Sequence, residues 1–283
     1  GNFPNLCRRG FVGNIYCTFA TRDLAAIMLE DSAEIQRADA EFVTKQRAKK
    51  GLPPVDALYS AEDAARAVQQ FVTFNYDRPM PIAPGVTLTF RDAGHILGSA
   101  QVVLDVVEGA RKFRYLFSGD VGRGDDEILR DPEPVENVDF LQIESTYGAR
   151  DHEAKTDSIA EFARLINEAY ARRGKIIIPA FSVGRTQAIV YTLNKLTLDG
   201  KIPRLPIFVD SPSSVNATEV FRLHPECFNA ETYRFLREKA NPFGMESLTY
   251  IRELAHSMKL NDLTDPAIII SASGMAEAGR VRH

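Results

Sequence analysis

A histidine and an aspartate stand just past the ends of strand-like segments in this sequence. The first lies in Asp92-Ala93-Gly94-His95-Ile96-Leu97-Gly98-Ser99-Ala100, the second in Phe117-Ser118-Gly119-Asp120. Residues 86–90 (VTLTF) and 113–117 (FRYLF) each alternate apolar and polar positions, so each candidate sits where a strand hands over to a loop. Imidazole and carboxylate are ligands suited to zinc, and a carboxylate can bridge two ions through its two oxygens. Standing alone, the pair is also explained by a turn cap at His95 and an ordinary Ser-Gly-Asp turn at Asp120. A third element lifts it above that: Ile143-Glu144-Ser145-Thr146-Tyr147-Gly148 follows another apolar run at 138–143 and adds a carboxylate.

A second set of candidates lies further along. Residues 175–181 (KIIIPAF), 205–209 (LPIFV) and 267–270 (AIII) are apolar runs separated by helical sequence, the pattern of buried parallel strands in βαβ units. Ligands of open α/β sheets gather at the carboxyl ends of strands, and all three runs end there in short polar loops. In the first loop Ser182, Gly184, Arg185 and Thr186 precede a helix expected over 187–196. They offer hydroxyls, free backbone N–H groups and one guanidinium to an anion. Ser271, Ser273 and Gly274 repeat the device without the cation. Helix capping by Ser and Thr explains either loop taken singly. Two such loops on one sheet edge favour a phosphate site.

The elements that must position these residues fall into two parts, with a join at 147–156. The first opens with a strand at 13–17 and a long helix capped by Thr21, with Leu24, Ile27, Met28 and Ile35 recurring at helical spacing. The basic run at 45–50 is read as a solvated helix end. Ser60 caps a second helix to about Val72. The second part opens with an amphipathic helix over 157–173, its apolar face formed by Ile159, Phe162, Ala163, Ile166 and Tyr170.

Composition bounds the rest. A chain of 283 residues with 45% hydrophobic content can bury a large core. It has no apolar run of membrane-spanning length, so the expectation is a cytoplasmic protein without membrane contact. The three cysteines, Cys7, Cys17 and Cys227, are too scattered for a disulfide framework or a C-x-x-C knuckle. A net charge of -4 means that nucleic acid would be gripped in a local groove rather than by a basic coat. Arg123 and His152 are secondary candidates for the cleft, whereas His224 and His256 read as structural or solvent-facing, and His283 is given no metal role.

Taken in order, the strings around His95, Asp120 and Glu144, with Pro179-Ala180-Phe181-Ser182-Val183-Gly184-Arg185-Thr186-Gln187, Val209-Asp210-Ser211-Pro212 and Ile270-Ser271-Ala272-Ser273-Gly274-Met275, resemble one family over essentially the whole chain. This family is the β-CASP group of metallo-β-lactamase-fold nucleases, and the 92–100 string looks more like its cleavage-factor branch than its ribonuclease J branch. The resemblance implies an α/β fold: a partial αββα sandwich over 1–150, then an inserted β-CASP domain over 151–283 with a parallel sheet flanked by helices. It implies a zinc-dependent, endonucleolytic RNA hydrolase with two zinc ions. His95 would be a ligand of one ion and Asp120 the bridging ligand. Glu144 would orient a proton-donating histidine, and the 182–186 and 271–274 loops would line the RNA groove.

The family's His-x-His-x-Asp-His signature would precede Gly1, and two further histidine motifs would follow 279–283 (GRVRH). The expectation is therefore a piece cut at both ends, with an incomplete metal site and no activity by itself. A hydrolase of DNA or a small ester, an RNA-binding pseudoenzyme and a plain α/β interaction domain remain as alternatives, and a homodimer is left open.

Overall fold

The computed structural model describes residues 2–151, 155–239, 241–272, 274–276 and 279–282, without the side chains of 155–157 and 239. His152, Ser273 and His283 lie outside the described residues. The chain forms two compact units, Gly1–Arg78 and Pro79–His283.

The first unit contains α1 (Phe3–Arg8), β1 (Ile15–Cys17), α2 (Phe19–Ala48), α3 (Ala61–Gln69) and β2 (Phe71–Thr73), with β1 and β2 paired in parallel. The cap of the long helix is Thr18 rather than Thr21. Its side-chain oxygen accepts the Thr21 N–H at 3.2 Å, so the helix begins two residues before the expected cap. Leu24 is buried as expected, but Met28 and Ile35 are exposed. The inward stripe instead uses Ala20, Leu29 and Ala33, of which Leu29 and Ala33 pack with Tyr59 and with Ala64 of α3. Ser60 caps α3 in a capping box with Asp63, and β2 takes over the segment expected to be its last turn.

The second unit holds two sheets. β3 (Met80–Ala83), β4 (Val86–Asp92), β5 (Ala100–Glu108), β6 (Arg111–Phe117) and β7 (Phe140–Gln142) lie side by side in that order, antiparallel except for the last pair. Alternation in β4 buries Leu88, Phe90 and Asp92 on one face. Glu108 pairs with Arg111 across a two-residue turn whose first residue, Gly109, has φ +58°, the conformation that such a hairpin demands. At the sheet edge, Phe140 and Leu141 of β7 are exposed along with neighbouring Phe117 and Ile143. An apolar strand edge of this kind is where a sheet accepts further strands.

Next come α4 (Lys155–Ala171), β8 (Ile176–Pro179), α5 (Arg185–Leu198), β9 (Ile207–Asp210), α6 (Pro212–Leu223), α7 (Ala230–Lys239), β10 (Leu248–Ile251), α8 (Leu254–Lys259) and β11 (Ile268–Ser271). The sheet is fully parallel in the order β10-β9-β11-β8, which makes β9 and β11 the central strands. Hence Ile207, Val209, Ile268 and Ile270 are buried, packed with Ile166 of α4 and Val190 and Leu193 of α5. β10 had no counterpart in the sequence reading, because Leu248-Thr249-Tyr250-Ile251 lacks the isoleucine-rich run of the other strands. Tyr170, assigned to the core face of α4, is exposed in its last turn. The boundary expected at 147–156 falls between these two sheets, inside the second unit. Among the described residues, no helix is long and apolar enough to cross a membrane.

Candidate active site

Two loops cross at the end of the five-stranded sheet, one leaving β4 and one leaving β6. Gly122 donates its N–H to the Ala93 carbonyl at 2.7 Å, and Gly94 has φ +60°. A Cβ on Gly122 would lie 1.8 Å from the Gly94 carbonyl oxygen, so only glycine allows the backbones to pass this closely. Buried Asp92 shapes the first loop by accepting the Gly94 N–H at 2.9 Å and pairing with Arg130 at 2.9 Å. The Ser99 hydroxyl accepts the N–H groups of His95 and Ile96, closing the turn that presents the imidazole.

This crossing places His95 Nε2 3.7 Å from Asp120 Oδ2, with both side chains open to solvent. Glu144 is tied to the same loop. Its carboxylate accepts the Val121 N–H at 2.6 Å, and its own N–H donates to the buried Ser118 hydroxyl at 3.2 Å. The Val121 N–H, followed by the Thr146 hydroxyl, holds the Glu144 carboxyl below its ordinary range, and His95 nearby acts in the same direction. An imidazole and two carboxylates therefore share one strand-end corner, as the spacing of the three strings implied.

The donor set fits zinc as far as it goes. Two ligands each about 2.0–2.2 Å from one ion lie within about 4.4 Å of each other, and the 3.7 Å pair falls inside that span. Among the described residues, no group of three or more histidine, cysteine or acidic side chains is placed to hold a metal. A closed zinc site uses four ligands and a catalytic one about three from the protein, so His95 and Asp120 would be part of a set.

The polar loops meet this corner unequally. A 360 Å³ cavity is lined by His95 and Ile96 together with Phe181, Gly184 and Arg185. Gly184 caps α5 with φ +78°, and a Cβ there would touch Ile96 at 3.9 Å. Gly274 packs against the Phe181 ring, where a Cβ would meet the ring carbons at 3.2 Å. Arg185 projects an exposed guanidinium.

The other groups are turned inward. Two of the N–H groups expected to be free are engaged, Arg185 donating to the Val183 carbonyl and Thr186 to that of Phe181. Thr186 opens α5 rather than preceding it, is buried, and uses its hydroxyl on the Phe181 carbonyl at 2.8 Å. Ser271 is buried with its hydroxyl donating to the Asp210 carbonyl, and the Ser182 hydroxyl lies 3.5 Å from that of Ser211. The Ser182 and Ser271 hydroxyls reach the end of β9 and that of Thr186 closes its own loop, so among the described side chains expected to face an anion the guanidinium is the one left outward. Sequence periodicity cannot separate the two uses, because a capping hydroxyl and a ligand hydroxyl occupy the same positions.

The remaining candidates resolve simply. His224 is buried against Glu226 at 2.7 Å, and His256 is exposed. Arg123 reaches Asp125 at 3.5 Å and lines a cleft described below. All three cysteines are free, and burial pushes the Cys17 thiol up to about 11 and the Cys227 thiol up to about 12, leaving both unreactive.

Residues 186–283 match the Beta-Casp domain family. The chain is 29% identical to "Ribonuclease TTHA0252" of Thermus thermophilus over 283 residues, which is all of this chain and 60% of that protein. It is 31% identical to "Transcription termination factor FttA" of Methanococcus maripaludis over 284 residues, covering 99% of this chain and 42% of the relative. An "RNase J-like protein" of Methanocaldococcus jannaschii is 30% identical over 270 residues, covering 94% of this chain and 56% of the relative. The chain thus spans about half the length of these curated relatives. The domain match, the similarity along the whole of this chain, and a parallel sheet flanked by helices beside a mainly antiparallel one support a member of the β-CASP group of the metallo-β-lactamase fold.

Proposed function

We propose that this chain is part of a zinc-dependent RNA phosphodiester hydrolase that cuts endonucleolytically. The observation that carries the reading is the convergence of His95 and Asp120 at 3.7 Å on loops cross-tied at Gly94 and Gly122, with Glu144 bonded to the Asp120 loop. His95 and Asp120 would be two of the zinc ligands, and Asp120 has a second oxygen with which to bridge. Zinc, when bound, supplies Lewis-acid stabilisation of charge developing on a phosphodiester. Glu144 acts by orientation, accepting hydrogen bonds that fix the corner. Arg185, lining the same cavity as His95, supplies the cation for the RNA backbone.

The names of the relatives support RNA over DNA or a small ester, and retention of an imidazole–carboxylate pair in ligand geometry speaks against a pseudoenzyme. The rest of the ligand set and the proton donor would come from parts of the full-length protein outside these residues, as the greater length of the relatives suggests. The reading includes a division into a metallo-β-lactamase part over 1–150 and a β-CASP part over 151–283. It also includes a cytoplasmic setting, which suits free and unreactive cysteines.

The test uses the full-length protein and single-stranded RNA. Arg185→Ala should weaken RNA binding about three- to tenfold and flatten the slope of log affinity against log salt by about 0.7, the contribution of one phosphate contact on a single strand. An unchanged slope would reduce the 182–186 loop to a capping device. A wild-type protein that binds and cuts DNA or a small ester in preference to RNA would replace the substrate assignment.

A further inference from the structure

A cleft of about 770 Å³ shares Arg185 and Ala188 with the His95 cavity, and the rest of its lining plays no part in the site just described. Arg123, Arg150 and Arg185 line it, with Tyr147 on its wall. The Arg150 guanidinium stacks over the Tyr147 ring at 4.8 Å, and the ring still keeps 46% of its surface exposed. Tyr147 and Arg123 also line a second cleft, of about 480 Å³, whose wall carries Glu144. The cleft therefore shares Arg123 and Tyr147 with the cleft that carries Glu144, and Arg185 with the His95 cavity.

Its chemistry is that of a nucleotide site rather than a protein or lipid site. A tyrosine stacked by arginine is a flat, electron-rich surface with a cation attached, suited to a nucleobase of any sequence. Further guanidiniums match phosphate oxygens in fork geometry. Two acids, Glu127 and Asp151, also line the wall; Glu127 lies 3.7 Å from the Lys195 ammonium, which Glu231 holds at 2.6 Å, and Arg123 reaches Asp125 at 3.5 Å, so the attraction for an anion rests chiefly on Arg150 and Arg185. A volume of about 770 Å³ holds one to two nucleotides on the scale of small-molecule sites.

We propose that this cleft is a nucleotide subsite for the RNA strand away from the scissile phosphate, in which one base stacks on the Tyr147–Arg150 pair while Arg123 and Arg185 hold the flanking phosphates. The proposal rests on the RNA reading given above and adds a residue-level register to it. The strand would run from the His95–Asp120 corner past Arg185 into the cleft, so that a base at a fixed distance from the cut is gripped. The sequence carries the signal as Tyr147-x-x-Arg150, immediately after the Glu144 motif.

The test measures binding of a single-stranded RNA by the full-length protein, with an abasic nucleotide moved along the strand. Tyr147→Ala should weaken the intact RNA about tenfold, within the range of one lost base stack, whereas Tyr147→Phe should bind like wild type. One abasic position should weaken wild type by the same factor and leave Tyr147→Ala unaffected, since ring and base contribute one interaction. Arg150→Ala serves as the second variant should Tyr147→Ala not fold, and should show the same position-specific loss. Wild-type affinity in both variants, or a loss equal at every abasic position, would overturn the subsite while leaving the RNA reading intact. A wild-type protein that binds no RNA would instead remove the reading on which the subsite rests.

Discussion

In the full-length protein, Asp120→Asn will lower kcat/KM for RNA cleavage by about 10³-fold or more while leaving RNA affinity within about threefold. Asparagine keeps the shape of the side chain but loses the anionic charge and the second anionic oxygen, the two properties with which Asp120 would hold and bridge cations. Three decades correspond to about 4 kcal/mol of barrier, the scale on which a metal ion stabilises a transition state and well above that of a single surface contact. Affinity should be spared because, on the proposed reading, the backbone would be held elsewhere, by Arg185 and the arginines of the adjoining cleft. His95→Ala should follow the same pattern, with loss of bound zinc. Cleavage within tenfold of wild type in Asp120→Asn would remove Asp120 from the metal set.

The second large effect is on stability. Asp210 ends the central strand β9, is buried, and accepts from the Ser257 hydroxyl at 2.6 Å and from Arg280 at 2.9 Å. Arg280 also donates to the Ile251 and Arg252 carbonyls, so one guanidinium binds the segment after β11 to two strand ends. Asp210→Ala strands a largely buried cation and a buried hydroxyl. The expected cost is about 3 kcal/mol, which lowers the thermal midpoint of a unit this size by roughly 6–12 °C. Glu41→Ala, which breaks the fully exposed Arg37–Glu41 pair, should leave the midpoint where it was. Equal shifts in the two variants would show that the Asp210 network carries no special weight.

How far the sequence revealed this arrangement depended on which physical signal each element leaves. Strand alternation before His95 was clear because one face of β4 is buried, and period-two burial writes itself into the residue types, whereas the alternating residue types of β6 before Asp120 are not matched by alternating burial. The isoleucine runs of β8 and β11 were equally plain. β10 was missed because an edge strand needs only half the apolar content. In α2, Met28 and Ile35 matched a helical period yet face outward, since periodicity fixes a face without saying which neighbour claims it.

The chemical corner was legible in its residues and illegible in its scaffold. Nothing in the spacing of Gly94 and Gly122 announces that their backbones cross, although that contact sets the distance between His95 and Asp120. The anion loops erred in the other direction. Ser182, Thr186 and Ser271 had the right chemistry, but folding turned their hydroxyls to carbonyl and hydroxyl partners within the protein. Arg185 was spared because a long charged side chain is costly to bury and stays at the rim.

Cleavage of single-stranded RNA by the full-length protein before metal removal, after it, and after zinc is returned tests the central claim most directly. The account predicts cleavage by the untreated protein, loss of at least about 99% of it on chelation, and recovery with zinc in wild type but not in Asp120→Asn. Undiminished RNA cleavage by a protein stripped of metal would contradict it.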